Sequence, residues 1–167
     1  MEYLPQSPEL QEALKEGHTL FGGKSSIACM GDMLLLAAFS LATPFNGSLV
    51  GAFTTERETL AACKEKQPDL LYLTEILEQG YGINVAVKAK VASPKTKVLL
   101  FLHRESQELV RDAIEAHVDG VIFVSSLGNA GQGDFIKSIR AISSGSNYYP
   151  KEVRAVAGYT RTPVIAD

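Results

Sequence analysis

The sequence predicts an α/β fold in which five parallel strands alternate with helices, and three observations support this prediction. Short apolar runs, each the length of a strand, recur along the chain and are separated by segments with helical periodicity. The run at 70–73 is apolar throughout, as is typical of a central parallel strand that is covered on both faces. The length of 167 residues, the hydrophobic content of 46% and the charged fraction of 21% indicate a single globular domain.

Capping residues and turn signals set the boundaries of the predicted elements. Asp32 and Ser106 stand at helix N-caps, and Thr55 with Glu58 forms a capping box. The predicted strands are 26–30, 48–53, 70–73, 98–102 and 121–125, and the predicted helices are 33–42, 55–66, 83–91, 107–116 and 134–143. Because crossovers between parallel strands are right-handed, we expect a doubly wound, flavodoxin-like sheet in the order 2-1-3-4-5, with helices on both faces.

The predicted elements divide the chain into three parts. Residues 1–24 are predicted to be an N-terminal extension with a short helix, which Ser7 caps and which ends before Gly17. Residues 25–145 form the predicted main domain. The polar and turn-rich residues 146–167 are predicted to be a linker or tail.

The composition argues against several kinds of partner. With a net charge of −3 and a pI of about 5.6, the surface does not favour nucleic acid or anionic lipid. The longest apolar run, 33–45, is interrupted by Pro44 and is shorter than the ~20 residues that a membrane-spanning helix needs. Cys29 and Cys63 lie in apolar segments without metal-ligand spacing, so we expect buried free thiols and no metal. We therefore expect a cytoplasmic protein without membrane contact.

The helix predicted at 33–42 is unusual because it contains no charged residue. A helix on the outside of a small domain normally has one apolar stripe and one polar face, so an uncharged helix is expected to be covered on more than one side. Either residues 1–24 fold back over this helix, or it contacts a partner. Right-handed winding places it on the same face of the sheet as helix 134–143, and we expect a homodimer or a protein partner at this surface. The candidate interface residues are Leu35, Leu36, Phe39, Phe135 and Ile139.

Three segments, in order and at suitable separations, resemble one known family. They are PDLLYLT at 68–74, AIEAHVDGVIFV at 113–124 and GSNYYPKEV at 145–153, and Gly82 lies eight residues after Thr74. Over about residues 26–155 the chain is similar to the receiver domain of two-component response regulators of the LuxR/NarL type. The resemblance implies the flavodoxin-like fold and a role in signalling. It also implies that DNA would be bound only through a further domain that is not present in this chain.

The positions that carry the chemistry of this family depart from its pattern. The resemblance places the phosphoryl-accepting aspartate at Thr74, the lysine of the fifth strand at Val124 and the hydroxyl residue of the fourth strand at Leu102. Of the acidic pair after the first strand only Asp32 remains, beside Gly31. An acyl phosphate requires a carboxylate nucleophile, and magnesium requires several hard oxygen ligands. These residues therefore predict a degenerate phospho-pocket with no catalytic residue, no metal and no cofactor.

The resulting hypothesis is a pseudo-receiver, a non-catalytic module that acts by phosphorylation-independent protein contacts or dimerisation. It would be the regulatory part of a LuxR-type transcription regulator. The alternative is a small-molecule-sensing domain in which the vacated pocket near Asp32, Thr74, Leu102, His103 and Val124 binds a ligand. An enzyme is the weakest reading, because no nucleophile and base can be paired in the sequence.

Overall fold

The computed structural model describes residues 5–41, 49–126 and 134–149. Their strands are β1 (Ser26–Cys29), β2 (Leu49–Phe53), β3 (Leu70–Thr74), β4 (Lys97–Leu102) and β5 (Gly120–Phe123). Their helices are α1 (Pro8–Phe21), α2 (Met33–Leu41), α3 (Glu56–Lys66), α4 (Gly82–Ala92), α5 (Gln107–Glu115) and α6 (Asp134–Ser143), with a 3₁₀ turn at Val124–Ser126. Residues 42 and 48, which the sequence assigned to a helix and a strand, lie outside the described residues.

The five strands form one parallel sheet in the order β2-β1-β3-β4-β5. This confirms the predicted doubly wound, flavodoxin-like topology. The predicted caps are also present: the backbone N–H of Glu58 donates to the Thr55 hydroxyl, and that of Leu109 donates to the Ser106 hydroxyl. Both the helix caps, which are local features, and the strand order, which is a global one, therefore match the predicted fold.

Strand alternation separates the core into two layers, one on each face of the sheet. Leu71 and Leu73 of β3 face a cluster that is completed by α3, α4 and α5. Leu70 and Tyr72 of the same strand face a second cluster, to which α1, α2 and α6 contribute. The first and last helices of the predicted main domain therefore share one face of the sheet, as right-handed winding predicts.

The predicted C-terminal end of the N-terminal helix was wrong, because the helix is longer than predicted. Helix α1 continues through Gly17, which is buried, and finishes at Phe21, which is only 3% exposed. The additional turn places the Phe21 ring against Phe135 of α6, and the burial of this ring stabilises the longer helix. Arg140 of α6 donates from Nε to the Glu16 carboxylate at 2.8 Å. Helix α1 thus packs beside α6, and it does not cover the outer face of α2, where Leu34 remains 80% exposed.

The fifth strand and the segment after α6 also differ from the prediction. Strand β5 ends at Phe123, and a 3₁₀ turn that includes Val124 replaces the predicted continuation to residue 125. The Ser126 hydroxyl donates to the Phe123 carbonyl at 2.9 Å, which closes this turn. Beyond α6, Tyr148 pairs with Gly120 at the start of β5, and both Tyr148 and the following tyrosine are buried. Residues 150–167, the rest of the predicted tail, lie outside the described residues.

Cys29 and Cys63 are free and fully buried in the same core layer, which confirms the prediction of buried free thiols. Burial raises the pKa of each thiol from 9.0 to about 11. None of the described helices is both long enough and apolar enough to cross a membrane.

Tyr72 provides a direct test of the second core layer. Among the described residues its hydroxyl is the only buried side-chain polar atom without a hydrogen-bond partner, and its ring lies 4.8 Å from that of Phe39. Removing an unpaired buried hydroxyl relieves a desolvation cost, so Tyr72→Phe should raise the free energy of unfolding by about 1 kcal/mol. Tyr149 is the matched control, because its hydroxyl donates to the Val118 carbonyl at 2.7 Å and Tyr149→Phe should lower that free energy. Urea unfolding of both variants tests this, and a Tyr72→Phe protein less stable than the wild type would contradict it.

The two buried thiols should be almost inert in the native protein. A pKa raised from 9.0 to about 11 lowers the thiolate fraction about 100-fold below pH 9, since the thiolate is the nucleophile. We expect negligible reaction with a disulfide reagent at about pH 8 until denaturant is added, after which both thiols react. A Val91→Cys variant is the control, because Val91 is 81% exposed and its thiol should react at once. Rapid modification of the native wild-type protein would contradict the burial.

Candidate functional site

The sequence-predicted site lies at the carboxyl edge of the sheet, where α/β proteins of this topology place their ligands. Gly31 and Asp32 follow β1, Thr74 is the last residue of β3, and Leu102 is the last residue of β4. Val124 begins the turn that follows β5. The topology thus brings all the predicted positions to one edge, and the contacts of each side chain determine what this edge can do.

Thr74 is fully buried, and its hydroxyl is engaged in two directions. It accepts a hydrogen bond from the backbone N–H of Gly31 at 3.0 Å, and it donates to the carbonyl of Ile76 at 3.1 Å. An alcohol becomes a nucleophile only when a base removes its proton, and here the proton is directed at a peptide carbonyl. The geometry makes Thr74 a link between the end of β1 and the loop after β3.

The backbone packing at Gly31 excludes any side chain at this position. A Cβ atom at this position would lie 2.2 Å from the carbonyl oxygen of Ile76, a distance that no side chain can occupy without a backbone shift. The neighbouring Asp32 is exposed, and its carboxylate accepts from the N–H groups of Leu34 at 2.9 Å and Leu35 at 3.0 Å. Asp32 therefore caps α2, as its sequence position predicts.

The oxygen ligands at this edge do not fit a magnesium ion. Magnesium needs several hard oxygen ligands in near-octahedral geometry, whereas Asp32 is the one carboxylate that follows β1 and it is occupied by the helix N-terminus. Within the described part of the chain there is no group of three or more histidine, cysteine, aspartate or glutamate residues that could hold a metal ion.

Leu102 and Val124 lie on opposite faces of the sheet. Leu102 is fully buried in the layer formed with α3, α4 and α5, and Val124 is half-buried against the other layer. Neither side chain can form a hydrogen bond or neutralise a negative charge. Thr74 and Leu102 have no exposed surface, so neither side chain could contact a ligand at this edge of the sheet.

An ion pair that was not predicted from the sequence connects the ends of β3 and β4 at this edge of the sheet. Glu75 is 2% exposed, and its carboxylate accepts from the backbone N–H groups of His103 at 3.2 Å and Arg104 at 3.3 Å. The Arg104 guanidinium donates to the same carboxylate from Nε at 2.6 Å. A buried carboxylate is costly unless it is paired, so these donors are required for Glu75 to be buried. The sequence did contain an indication of this pair. Neighbouring parallel strands end at the same edge of a sheet, and an acid follows β3 while an arginine follows β4.

The five predicted interface residues face the interior of the protein. Leu36, Phe135 and Ile139 are buried in the layer beneath α2 and α6, and Leu35 and Phe39 pack against that layer. Charged substitutions at Leu36 or Phe39 would therefore disrupt the core of the protomer and would not report on an interface. The side chains of α2 that face outward are Met33, Leu34, Ala37, Ala38 and Leu41.

The role of Thr74 as a link can be tested with an isosteric substitution. Thr74→Val removes the hydroxyl and leaves the Gly31 N–H without its partner, so the free energy of unfolding should fall by about 1–2 kcal/mol. Amide hydrogen exchange at Gly31 should become faster in this variant. Thr74→Ser is the control, because it retains the hydroxyl and should retain the protection of Gly31 despite losing a methyl group. Equal Gly31 protection in both variants would refute the link.

No protein-family model matches the chain. The response regulator protein VraR of Staphylococcus aureus is 26% identical over 113 residues, which are 68% of this chain and 52% of VraR. The chain thus spans about half the length of the curated relatives that it matches.

Solved structures resemble the fold closely at low identity. A LuxR-family two-component response regulator from Aurantimonas sp. SI85-9A1 aligns with a TM-score of 0.68 at 16% identity, over 81% of this chain and 96% of that one. The isolated REC domain of RcsB from Salmonella enterica serovar Typhimurium aligns at 0.67 and 14%, over 80% and 97%. The RcsB–DNA complex aligns at 0.69 and 13%, over 81% and 67%. At these identities the similarity establishes the fold.

Proposed function

We propose that this receiver domain, which is related to those of the LuxR/NarL-family response regulators, is a non-catalytic signalling module that works without phosphorylation. The single observation that carries this proposal is the double engagement of the Thr74 hydroxyl at the acceptor position. A group that already bridges two backbone segments, and that has no exposed surface, is poorly placed to receive a phosphoryl group.

The packing around Thr74 supports the same proposal. The carbonyl of Ile76 occupies the space that an acidic side chain at residue 31 would need, so a magnesium ion has no pair of carboxylates to bind. Val124 supplies no positive charge to neutralise an incoming phosphate. A phosphoryl group would need an acceptor carboxylate, a metal site and a positive charge together. Restoring only one of these by substitution would therefore not restore phosphorylation.

The Glu75–Arg104 ion pair supports a module with one fixed conformation. It holds the backbone of the loop after β4 through the N–H groups of His103 and Arg104. This loop is one that a phosphoryl group at the carboxyl edge of the sheet could rearrange, and here an internal carboxylate already binds it. We therefore infer that output depends on association with other proteins and not on covalent modification.

The output would be transcriptional if the native protein carries a DNA-binding part. The chain corresponds to about half of VraR, and RcsB has been solved in complex with DNA. The net charge of −3 makes the receiver domain itself a poor match for a polyanion, so DNA contact is assigned to a separate domain.

Phosphoryl transfer can be tested directly by intact mass spectrometry. Incubation with acetyl phosphate and Mg²⁺ should leave the mass of 18.0 kDa unchanged, because Thr74 has no carboxylate and the described residues contain no group of ligands that could hold a metal ion. Thr74→Asp should also remain unmodified, since it restores the acceptor without the acidic pair or the lysine. A receiver domain that retains its aspartate provides the positive control. One added phosphoryl group on the wild-type chain, whether from acetyl phosphate or from a kinase acting at Thr74, would overturn the proposal.

A further inference from the structure

Few buried side chains attach helix α1 to the rest of the domain. Of its fourteen residues, Gly17 and Phe21 are the buried ones, and both lie in its C-terminal half. Residues 8–12 at its start are all exposed, and Leu10 among them has 46% of its surface in solvent. The helix packs chiefly against α6. Because β1 begins at Ser26, α1 is an addition to the fold and is not one of the crossovers that connect the five strands.

The buried end of α1 consists of one aromatic anchor with an ion pair beside it. The Phe21 ring is stacked on Phe135 of α6 with the ring centroids 6.3 Å apart, and it lies 6.4 Å from the ring of Tyr72 in β3. At the surface, the Glu16 carboxylate accepts from Arg140, whose side chain is 57% exposed. An exposed ion pair contributes little to stability, so Phe21 provides most of the attachment.

The connection between α1 and β1 allows the helix to move as a unit. Gly22 and Gly23 follow the helix directly, and Gly23 has a φ of +75°. Apart from its neighbours in the chain, no described residue lies within 4 Å of the position that a Cβ atom would take at Gly23. The N–H of Lys24 donates to the Phe21 carbonyl at 3.1 Å and closes a short turn. Small residues in such turns absorb large changes in φ and ψ, so α1 can leave α6 without disturbing β1.

We propose that α1 is a displaceable cover, and that the surface of α6 beneath it is the docking site for an amphipathic helix of another protein. The contacts of α1 define this partner helix. It carries a small residue that allows close approach, an aromatic residue four positions later and an acid immediately before the small residue, as Gly17, Phe21 and Glu16 do in α1. The inference deepens the proposed function and rests on it in one respect, because it identifies a protein contact through which a module without phosphorylation would act.

The charges on α6 favour another protein over a second copy of this chain. Lys137 lies one turn before Arg140 and is exposed, and it forms no ion pair with any described residue. A partner helix with a second acid can pair with both cations and thereby gains a contact that α1 does not make. A second copy would bring only an identical α1. That helix would compete poorly with the α1 of the same chain, which a short connection holds at a high effective concentration.

Fluorescence anisotropy with a labelled peptide of residues 5–22 tests the docking site on the full chain. The wild type should bind the peptide weakly, because its own α1 competes for the site. Phe21→Ala in the chain removes the anchor of the covering helix, so the peptide should bind at least about tenfold more tightly. Leu10→Ala is the matched control, since Leu10 is exposed on the same helix and its truncation should leave binding at the wild-type level. Equal binding to the wild type and Phe21→Ala proteins, or none to either, would overturn the proposal.

Charge reversal tests the register of the docked helix. In the Phe21→Ala protein, the further substitution Arg140→Glu should weaken binding of the natural peptide, and a peptide with Glu16→Arg should restore it. A peptide with Phe21→Ala should bind neither protein, because it lacks the anchor. If the Arg140→Glu protein binds the natural and the Glu16→Arg peptides equally, the proposed register is wrong.

Hydrogen exchange in the unaltered protein provides a measurement that does not depend on the folding of any variant. The amides of α1 should exchange at least about tenfold faster than those of α6, because α1 detaches while the sheet remains intact. Equal protection of the two helices would show that α1 is a fixed part of the core and would overturn the proposal.

The oligomeric state of the wild type distinguishes the two possible sources of the docked helix. Analytical ultracentrifugation should show a mass of 18.0 kDa at every concentration. A concentration-dependent dimer that Phe21→Ala abolishes would assign the docked helix to a second copy and would overturn its assignment to another protein. These experiments measure helix binding and the phosphoryl-transfer experiment measures covalent mass, so each proposal can fail without the other.

Discussion

The hydrogen bonds of the Thr74 hydroxyl determine the form of the whole carboxyl edge of the sheet. One bond fixes the chain where it leaves β1, and the other fixes the loop after β3. Together they bring the Ile76 carbonyl so close to Gly31 that this position accepts only glycine. The position of Asp32 and the start of α2 follow directly after this packed segment.

Both edges of the sheet are held by carboxylates that accept hydrogen bonds from the backbone. At the amino edge, Asp69 accepts from the N–H of Ser25 at 2.9 Å, and Asp119 accepts from the N–H of Val98 at 2.8 Å. Lys90 pairs with Asp119 and also donates to the Thr96 carbonyl at 3.0 Å. Glu75 has the corresponding role at the carboxyl edge. Asp69, Asp119 and Glu75 therefore bind the backbone of the domain itself.

The sequence predicted the fold well because strands, caps and crossovers follow local rules. The apolar run before Thr74, the capping box at Thr55 and the right-handed winding each specify one feature, and the features agree. The length of α1 was missed because Gly17 is a typical helix terminator, and only the tertiary burial of Phe21 shows that the helix continues. The Glu75–Arg104 pair was missed because its members are far apart in sequence. The inward orientation of Leu36 and Phe39 was not predictable either, since a helix that is apolar on every side gives no signal for which side faces the sheet.

The backbone contact at Gly31 limits which substitutions this edge of the sheet can accept. An aspartate introduced first at residue 31 would collide with the Ile76 carbonyl. An aspartate introduced first at residue 74 would lose the donor hydroxyl and bring a carboxylate against that same carbonyl. Each single substitution that places an aspartate at residue 31 or 74 is therefore disfavoured. Because the loop after β3 is packed against Gly31, this edge of the sheet accepts few substitutions one at a time, whereas exposed positions elsewhere on the domain can change more freely.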